Sequence, residues 1–449
     1  MTLTVTTSGR AVARSGLLPA TADELLSYIS ARAVSLAELV RKCAGTINTE
    51  CDDFAFIMIH AAYSSAEFSG KLSGKRRFLP YQLFKLPLDG PQQRLSSLMF
   101  SPSENDAMNA AILATRWVTG VPIREIEKPF QVRGGALMSM FVEAANIIRG
   151  FSDILYAVTS PQDSILLPAS VDAHNIKQVS EIIGSLRRLA SRLDVGLPED
   201  VIWMATLQVD GSNLLNRAQI MAMRRAEFSS PDHILDPGRF PDLMGCFGPR
   251  TTTTTGLAQA LQGAVREWRV LERNRLMESQ RKRLPAECRP LLQKFYRARG
   301  VEFEDALEEV LKCLEFNVVA RDDGKVPSFP DIVTDAFKLH LSAIECKSKT
   351  VGDSVTLNDA TDVIRKASVN GLAHAFKITV CQPYISPDVP RHLAACSELC
   401  VVNAEDLAEA FVRYKLGKID LHGLSDWLQR PGQALREMLP SQASIISDG

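Results

Sequence analysis

The chain has 449 residues, of which 46% are hydrophobic and 23% are charged, and its formal net charge is -1. This length predicts two or three domains with ample apolar material, and the near-zero charge excludes a uniformly basic nucleic-acid-binding protein, so such binding would depend on local patches. We expect a cytoplasmic protein without membrane contact, because the sequence has nine scattered cysteines, no apolar signal core and no apolar run of the ~18 residues that a membrane helix needs.

Residues 1–255 predict a mainly helical N-terminal region. Capping-box patterns open helices at Thr21 and Ser35, and apolar residues recur at helical spacing over 136–148. The short apolar run at 154–158 predicts a strand. No repeat or enzyme motif falls in this region, so we expect a module for recognition, regulation or assembly.

A threonine run and a basic stretch follow. The threonines at 251–255 indicate a linker or, alternatively, a short strand, because threonine favours extended backbone. Residues 256–299 predict a basic helical connector, since eleven Lys/Arg oppose four Glu between 266 and 299. Such a helix can neutralise phosphates or simply present a solvated face. Its candidate nucleic-acid contacts are Arg281, Lys282 and Arg283.

Residues 300–430 change to short alternating elements, and residues 431–449 are expected to form a tail. The order helix, three strands, helix, two strands, helix predicts a mixed sheet flanked by helices. In the first helix, apolar residues from Phe303 to Leu314 share one face. Glu304 lies at the edge of that face, whereas Glu308 and Glu309 lie further toward solvent. Glu304 is therefore the helix carboxylate best placed to reach a site beside the core.

The candidate chemistry lies in residues 329–349, which predict two short strands joined by a turn. Side chains alternate along a strand, so Glu345 and Lys347 project from one face. If the turn is centred near Lys338, Asp331 lies opposite Glu345, on a strand only ~4.8 Å away. The two carboxylates can then converge on one cation, with Lys347 one step beyond them.

These residue types suit the hydrolysis of a phosphodiester. The reaction needs a divalent cation, removal of a proton from water, and stabilisation of negative charge. Asp331 and Glu345 offer the hard oxygen ligands that Mg²⁺ prefers, the backbone carbonyl of Cys346 offers another, and Lys347 supplies positive charge. The alternative is an exposed cross-strand charge pair without chemistry. Three further cations are candidates for phosphate contact or for plain solvated surface: Lys349, Arg365 and Lys366.

The combination resembles the PD-(D/E)XK nuclease superfamily. Pro330-Asp331, followed after fourteen residues by Glu345-Cys346-Lys347, matches its signature, and residues 300–318 are similar to the first helix and strand of the Mrr-like restriction endonuclease branch. The resemblance covers roughly residues 295–415. It implies a restriction-endonuclease-like α/β domain that cleaves DNA with Mg²⁺, for which Mn²⁺ substitutes. It also implies that Glu304 joins the metal site, and a role in restriction or anti-phage defence.

We therefore expect a Mg²⁺-dependent DNA endonuclease. A homodimer or higher homo-oligomer would provide one site for each strand, and the N-terminal region would receive a protein partner or trigger. Two alternatives remain open. One is a non-catalytic scaffold or sensor that binds nucleic acid and keeps the nuclease fold, and the other is an RNA-specific or structure-specific nuclease.

Overall fold

The computed structural model of the protein describes residues 7–43, 50–68, 95–100, 105–130, 132–159, 175–209, 211–249, 251–336, 340–350, 353–386, 388–393 and 396–440. The chain forms two compact units. The helical unit comprises Met1–His233 and Gly238–Ala258, and the sheet unit comprises Ile234–Pro237 and Gln259–Gly449. Their main boundary, at Ala258, lies close to residue 255, the predicted end of the N-terminal region.

The first half of the chain is helical in its described parts, as the sequence predicts. Its α-helices are α1 (Thr7–Ser15), α2 (Pro19–Cys43), α3 (Glu50–Tyr63), α4 (Asn105–Val118), α5 (Ile123–Phe130), α6 (Gly134–Thr159), α7 (Ile176–Val195), α8 (Arg217–Arg225), α9 (Pro231–Leu235) and α10 (Phe240–Gly245). Short 3-10 helices occur at Ser96–Leu98, Ile202–Thr206 and Pro237–Arg239. The strands β1 (Gln208–Val209) and β2 (Ser212–Asn213) pair antiparallel.

The strand expected at residues 154–158 is wrong, because α6 continues to Thr159. Phe141, Ile148, Phe151, Leu155 and Val158 are all buried along this helix. Their spacing of three, four or seven residues keeps them on one apolar stripe. Burial against the core of the helical unit thus extends the helix that the sequence predicts only to residue 148.

The second half of the chain alternates helices and strands. Its α-helices are α11 (Thr252–Arg283), α12 (Arg289–Arg297), α13 (Val301–Cys313), α14 (Leu357–Val369), α15 (Asp388–Leu393), α16 (Ala404–Lys415) and α17 (Leu421–Leu428). Its strands are β3 (Asn317–Arg321), β4 (Ile332–Ala336), β5 (His340–Ser348), β6 (Ser354–Val355), β7 (Phe376–Gln382), β8 (Tyr384–Ile385), β9 (Leu399–Asn403) and β10 (Gly432–Ala434). Short 3-10 helices occur at Ala286–Cys288 and Arg436–Met438.

The threonine run is the start of a helix and not a strand, and the main boundary between the two units follows it at Ala258. The side chain of Thr251 accepts a hydrogen bond from the Thr254 backbone N–H at 3.2 Å, and the Thr254 hydroxyl accepts one from the Thr251 N–H at 2.9 Å. These reciprocal bonds satisfy N–H groups that a helix start leaves free. Local capping therefore overrides the preference of threonine for extended backbone.

A mixed six-stranded sheet organises the sheet unit, in the order β10-β9-β7-β5-β4-β3. The strands β3, β4 and β5 pair antiparallel, whereas β5, β7, β9 and β10 run parallel. This confirms the expected mixed sheet flanked by helices. The structure also differs from the expected tail at 431–449: Gly432–Ala434 forms the edge strand β10, and residues 441–449 lie outside the described ranges.

Helices cover both faces of this sheet. On one face Ile344, Ile378 and Val402 share a core with residues of α12, α13 and α16, such as Phe303 and Phe411. On the other face a smaller core joins β5, β7 and β9 to α14, and its members include Ala343, Ala360, Val363, Ala367 and Val401. Charged side chains on β5 therefore lie between covering layers, where an unpartnered charge is costly.

The expected basic connector is part of the sheet unit. Leu284, Leu292, Phe295 and Tyr296 are buried in the same core as α13. The end of α11 and all of α12 thus belong to the domain that the connector was expected to precede. Among the helices of the described ranges, none combines the length and apolarity that a membrane-spanning helix requires.

Candidate active site

The pairing of β4 with β5 fixes the two candidate metal-binding carboxylates. Ile332 lies opposite Ile344, so the same register extended by one residue aligns Asp331 with Glu345, as the sequence predicts. The expected turn centre, residue 338, lies outside the described ranges. Oδ2 of Asp331 accepts the backbone N–H of Cys346 at 2.7 Å. The backbone of β5 therefore holds the Asp331 carboxylate beside Glu345.

Two lysines from different elements converge on Glu345. Lys347 of β5 places Nζ 2.9 Å from Glu345 Oε1, and Lys366 of α14 places Nζ 2.6 Å from the same oxygen. The Lys366 ammonium also lies 3.4 Å from Asp331 Oδ1, so it bridges the two carboxylates. Glu345 is 1% exposed and Asp331 is 7% exposed. The ion pairs therefore lie in a site from which most water is excluded.

The second oxygen of Glu345 has a different environment. Oε2 is buried and has no hydrogen-bond partner within the described part of the chain. Burying such an oxygen without a partner costs free energy. A hard cation is one ligand that would compensate for this cost.

The ion pairs continue along α14. Lys347 Nζ lies 3.1 Å from Asp362 Oδ2, and Asp362 Oδ1 lies 2.8 Å from Arg365 Nη2. Acidic and basic side chains thus alternate through six residues, which we call the alternating cluster: Asp331, Lys366, Glu345, Lys347, Asp362 and Arg365. Three carboxylates face three cations, so the cluster has no net formal charge.

Burial raises the pKa of both candidate metal ligands. For Asp331, desolvation is the largest cause and Glu304 adds to it, whereas the Cys346 N–H and the Lys366 ammonium oppose it. For Glu345, desolvation again comes first and Asp331 adds to it, against the two ammonium groups. The upward net shift of each pKa means that the lysines do not fully replace the lost water.

Both cluster lysines hold their proton more firmly than a free lysine does. Desolvation alone would lower the pKa of Lys347, but its pairs with Glu345 and Asp362 outweigh it and the pKa is raised. The pKa of Lys366 is raised in the same way, since Glu345 and Asp331 outweigh desolvation. In this arrangement each lysine is therefore a positive hydrogen-bond donor, and neither is poised as a general base.

Glu304 is half-buried in the first turn of α13. Burial raises its pKa, Arg321 opposes the shift, and Glu345 adds to it. Glu304 is thus within electrostatic reach of the two strand carboxylates. Over the described ranges, however, no three His, Cys, Asp or Glu side chains group in a way that could hold a metal ion. A metal-binding role for Glu304 stays a prediction.

Cys346 offers its backbone to the site. Its side chain packs against the core on the α13 side of the sheet, and burial raises the pKa of its thiol well above the ordinary value. An extended residue directs its N–H and C=O toward the same neighbouring strand. Because the N–H of Cys346 is bonded to Asp331, its carbonyl also faces that side, and its role as a metal ligand stays a prediction.

The candidate nucleic-acid contacts on α11 differ from one another. Arg283 donates to both carboxylate oxygens of Glu409, at 2.9 Å and 2.5 Å, and so attaches α11 to α16. Arg281 pairs with Glu278 on its own helix at 2.9 Å, and Lys282 is exposed. The structure therefore uses Arg283 inside the sheet unit, while the phosphate-binding roles of Arg281 and Lys282 stay predictions.

Of the remaining candidates, Arg365 and Lys366 belong to the alternating cluster, whereas Lys349 pairs outside it. Lys349 Nζ lies 2.9 Å from Asp359 Oδ2, and Arg365 is partly exposed at the end of the cluster. The phosphate-binding roles of both stay predictions. Lys366 differs from the solvated lysine that its sequence position suggests, because it bridges Asp331 and Glu345.

Sequence reasoning did not single out Asp362 and underrated Lys366. The two residues are one helical turn apart on α14, beside the buried stripe of Ala360, Val363 and Ala367. A helical wheel of this segment contains the signal, since both polar residues border the face that packs on the sheet. The same kind of signal identifies Glu304 on α13.

Comparison of the chain with protein-family models and with curated proteins finds no match.

Proposed function

We propose that the sheet unit is a divalent-metal-dependent nuclease that hydrolyses phosphodiester bonds, with DNA as its favoured substrate. One arrangement carries the proposal: Asp331 and Glu345 meet around the Lys366 ammonium, while a buried Glu345 oxygen has no partner among the described residues. Converging carboxylates with a spare oxygen are what a hard cation requires from a protein. The preference for DNA follows from the resemblance to PD-(D/E)XK nucleases.

The donor set fits Mg²⁺. This ion binds through one or two carboxylates and keeps several waters, so a complete protein cage is not required. Asp331 and Glu345 would hold it, with the Cys346 carbonyl and Glu304 as further candidates, and Mn²⁺ accepts the same oxygen donors. When bound, the ion polarises the scissile phosphate and lowers the pKa of a bound water.

The two lysines would act on the phosphate as protonated, positively charged groups. Their raised pKa values keep Lys347 and Lys366 protonated at neutral pH. An ammonium at this position stabilises the negative charge that develops on the phosphate oxygens and donates a hydrogen bond that orients the attacking water. Asp362 pairs with Lys347 at 3.1 Å, so we assign it as a positioning residue.

The order of elements supports the same proposal. From α13 onward the sheet unit runs through a helix, three antiparallel strands, a helix and further parallel strands, as the resemblance to restriction endonucleases implies. A double-strand break needs two sites, so we propose a homodimer or higher homo-oligomer. A partner or trigger would act through the helical unit, and restriction or anti-phage defence is the role that the resemblance suggests.

One observation favours a second function. The alternating cluster satisfies most of its charges internally, as a purely structural ion-pair network would. A nucleic-acid-binding scaffold or sensor that keeps the fold without cleaving is therefore the competing candidate. An RNA-specific or structure-specific nuclease would use the same cluster on another substrate.

A cleavage assay separates these functions. Full-length protein is incubated with supercoiled plasmid, linear duplex DNA or single-stranded RNA, in the presence of Mg²⁺, Mn²⁺ or EDTA. We expect nicking or linearisation of the plasmid that requires metal, is lost in Lys347→Ala and is kept in Lys325→Ala. Lys325 is a matched control because its ammonium is exposed and, among the described residues, pairs with Asp323 outside the alternating cluster.

Equal products from wild type and Lys347→Ala, or cleavage that survives EDTA, would contradict the proposal. Cleavage of RNA alone would favour the RNA nuclease. Metal-dependent nucleic-acid binding without products, with every substrate, would favour the scaffold.

A further inference from the structure

Lys366 lies where a cation shared by two carboxylates would lie. Its Nζ is 2.6 Å from Glu345 Oε1 and 3.4 Å from Asp331 Oδ1. The two carboxylates come from neighbouring strands, whereas Lys366 reaches them from α14 on a flexible four-carbon stem. The ammonium can therefore leave this position through side-chain rotation, without a movement of the sheet.

The alternating cluster has no net formal charge, and each of its carboxylates has at least one cationic partner. Glu345 contacts two ammonium groups, Asp331 contacts one ammonium and a backbone N–H, and Asp362 contacts Lys347 and Arg365. A divalent ion added between the carboxylates would lie next to the Lys366 ammonium. Like charges at such a separation repel strongly in a site that excludes water.

We infer that Lys366 is a displaceable counter-cation, which holds Asp331 and Glu345 together in the metal-free protein and gives up this contact when a divalent ion binds. The inference rests on the proposed function, because it concerns the same two carboxylates. It adds that Lys366 lowers the affinity for metal, because Lys366 and the divalent ion compete for one position.

The competition couples metal binding to the substrate. A displaced ammonium needs a new anion, and the phosphodiester of a nucleic acid bound at the site provides one. Metal affinity is therefore low in the free protein and rises when nucleic acid is bound. By linkage, nucleic-acid affinity rises by the same factor when the metal is bound.

Isothermal titration with MnCl₂ tests the inference on full-length protein without nucleic acid. The variants are Lys366→Met, which removes the charge at similar length, and Lys366→Gln, which keeps a hydrogen-bond donor. Lys325→Met is the matched control for the loss of one ammonium, and Asp331→Asn removes a metal ligand. We expect at least ~10-fold tighter Mn²⁺ binding in both Lys366 variants, wild-type affinity in the control, and loss of binding in Asp331→Asn.

A second titration includes a phosphorothioate duplex, which resists hydrolysis. The duplex should tighten Mn²⁺ binding by wild type and should tighten it less in Lys366→Met, because that variant has no ammonium to displace. Circular dichroism and thermal melting identify any variant that has not folded.

The failures of the inference and of the proposed function are distinguishable. Unchanged or weaker Mn²⁺ binding in both folded Lys366 variants, with binding still lost in Asp331→Asn, would overturn the counter-cation and leave the metal site. Mn²⁺ binding that Asp331→Asn does not affect, or no binding by any folded protein, would overturn both. Binding by the Lys366 variants alone would support the inference.

Discussion

Two buried glutamates of the sheet unit use their oxygens in different ways. Glu345 is 1% exposed and Glu409 is 6% exposed, and each contacts two cationic side chains. Both oxygens of Glu409 are partnered: Oε1 accepts from Arg283 and Arg413 at 2.9 Å and 3.2 Å, and Oε2 accepts from Arg283 and Gln280 at 2.5 Å and 3.3 Å. Around Glu345 both ammonium groups contact Oε1, and no described residue partners Oε2.

The pKa values of the two glutamates shift in opposite directions. Desolvation raises the pKa of Glu345, and its lysines do not reverse the shift. Desolvation acts on Glu409 too, but Arg283 and Arg413 outweigh it and its pKa is lowered. A planar guanidinium can satisfy two oxygens at once, whereas an ammonium acts as a point charge. The Glu409 network is therefore fully paired, whereas Glu345 keeps a buried oxygen without a partner among the described residues.

The largest expected difference between variants of Glu345 and Glu409 is in the rate of cleavage. Glu345→Gln should reduce the rate of metal-dependent plasmid cleavage by at least ~10²-fold, since it removes a charged ligand of the proposed metal ion. Glu409→Gln should stay within about threefold of wild type, because Glu409 makes no contact with the alternating cluster in the described structure. Initial rates of plasmid nicking measure both. Similar losses in the two variants would remove the functional distinction.

For stability, we expect the larger effect from the Glu409 variant. Glu409→Gln should lower the free energy of unfolding by about 2 kcal/mol, less than the loss of a fully buried pair because Arg283 and Arg413 are partly exposed. Glu345→Gln should cost less, since the raised pKa of Glu345 shows that the folded protein disfavours its charged form. Urea denaturation of both variants compares these costs. A larger loss for Glu345→Gln would show that its ion pairs are structural.

The two kinds of carboxylate should also respond differently to pH. Because the pKa of Glu409 is lowered by folding, its stabilisation is present above the ordinary glutamate pKa of about 4.3 and is lost as the pH falls through the lowered value. The difference in unfolding free energy between wild type and Glu409→Gln should therefore shrink on acidification.

The charge on Asp331 should have the opposite effect on stability. Its pKa is raised by folding, so its charged form destabilises the protein at neutral pH. Asp331→Asn should gain stability at neutral pH, and the gain should shrink as the pH falls through the raised value toward the ordinary one. Denaturation midpoints at a series of pH values measure both trends. On acidification, the stability of each variant relative to wild type should rise for Glu409→Gln and fall for Asp331→Asn. A change in the same direction for both variants would contradict the opposite pKa shifts of the two carboxylates.

Part of the arrangement around Glu345 could be predicted from the sequence, because it depends on local spacing. The register of β4 and β5 follows from the symmetric spacing of Asp331 and Glu345 about a turn. The edge of the apolar stripe on α13 similarly identified Glu304. Lys366 lies at the corresponding edge of α14, but such a residue is usually solvated, and only the packing of α14 on the sheet brings it to Glu345.

Other contacts have no local signal. Arg283 and Glu409 are 126 residues apart in the sequence, and no periodicity connects them, so a run of basic residues alone predicts a solvated or phosphate-binding helix. In the threonine run, intrinsic propensity favours extended backbone, whereas the reciprocal bonds of Thr251 and Thr254 start a helix. The particular side-chain partner outweighs the general preference in both cases.

The smallest expected effects are the changes in unfolding free energy on substitution of Arg281 and Arg283 in α11. Arg281 pairs with Glu278 on the helix surface, so Arg281→Gln should change the free energy of unfolding by no more than ~0.5 kcal/mol. Arg283→Gln should cost more, about 1 kcal/mol, because Glu409 loses two hydrogen bonds. Urea denaturation and duplex-binding titrations on both variants separate structural from phosphate-binding roles. Weaker duplex binding by Arg281→Gln at unchanged stability would assign its face of α11 to nucleic acid, whereas equal stability losses would mean that the Glu409 contact does not distinguish the two arginines.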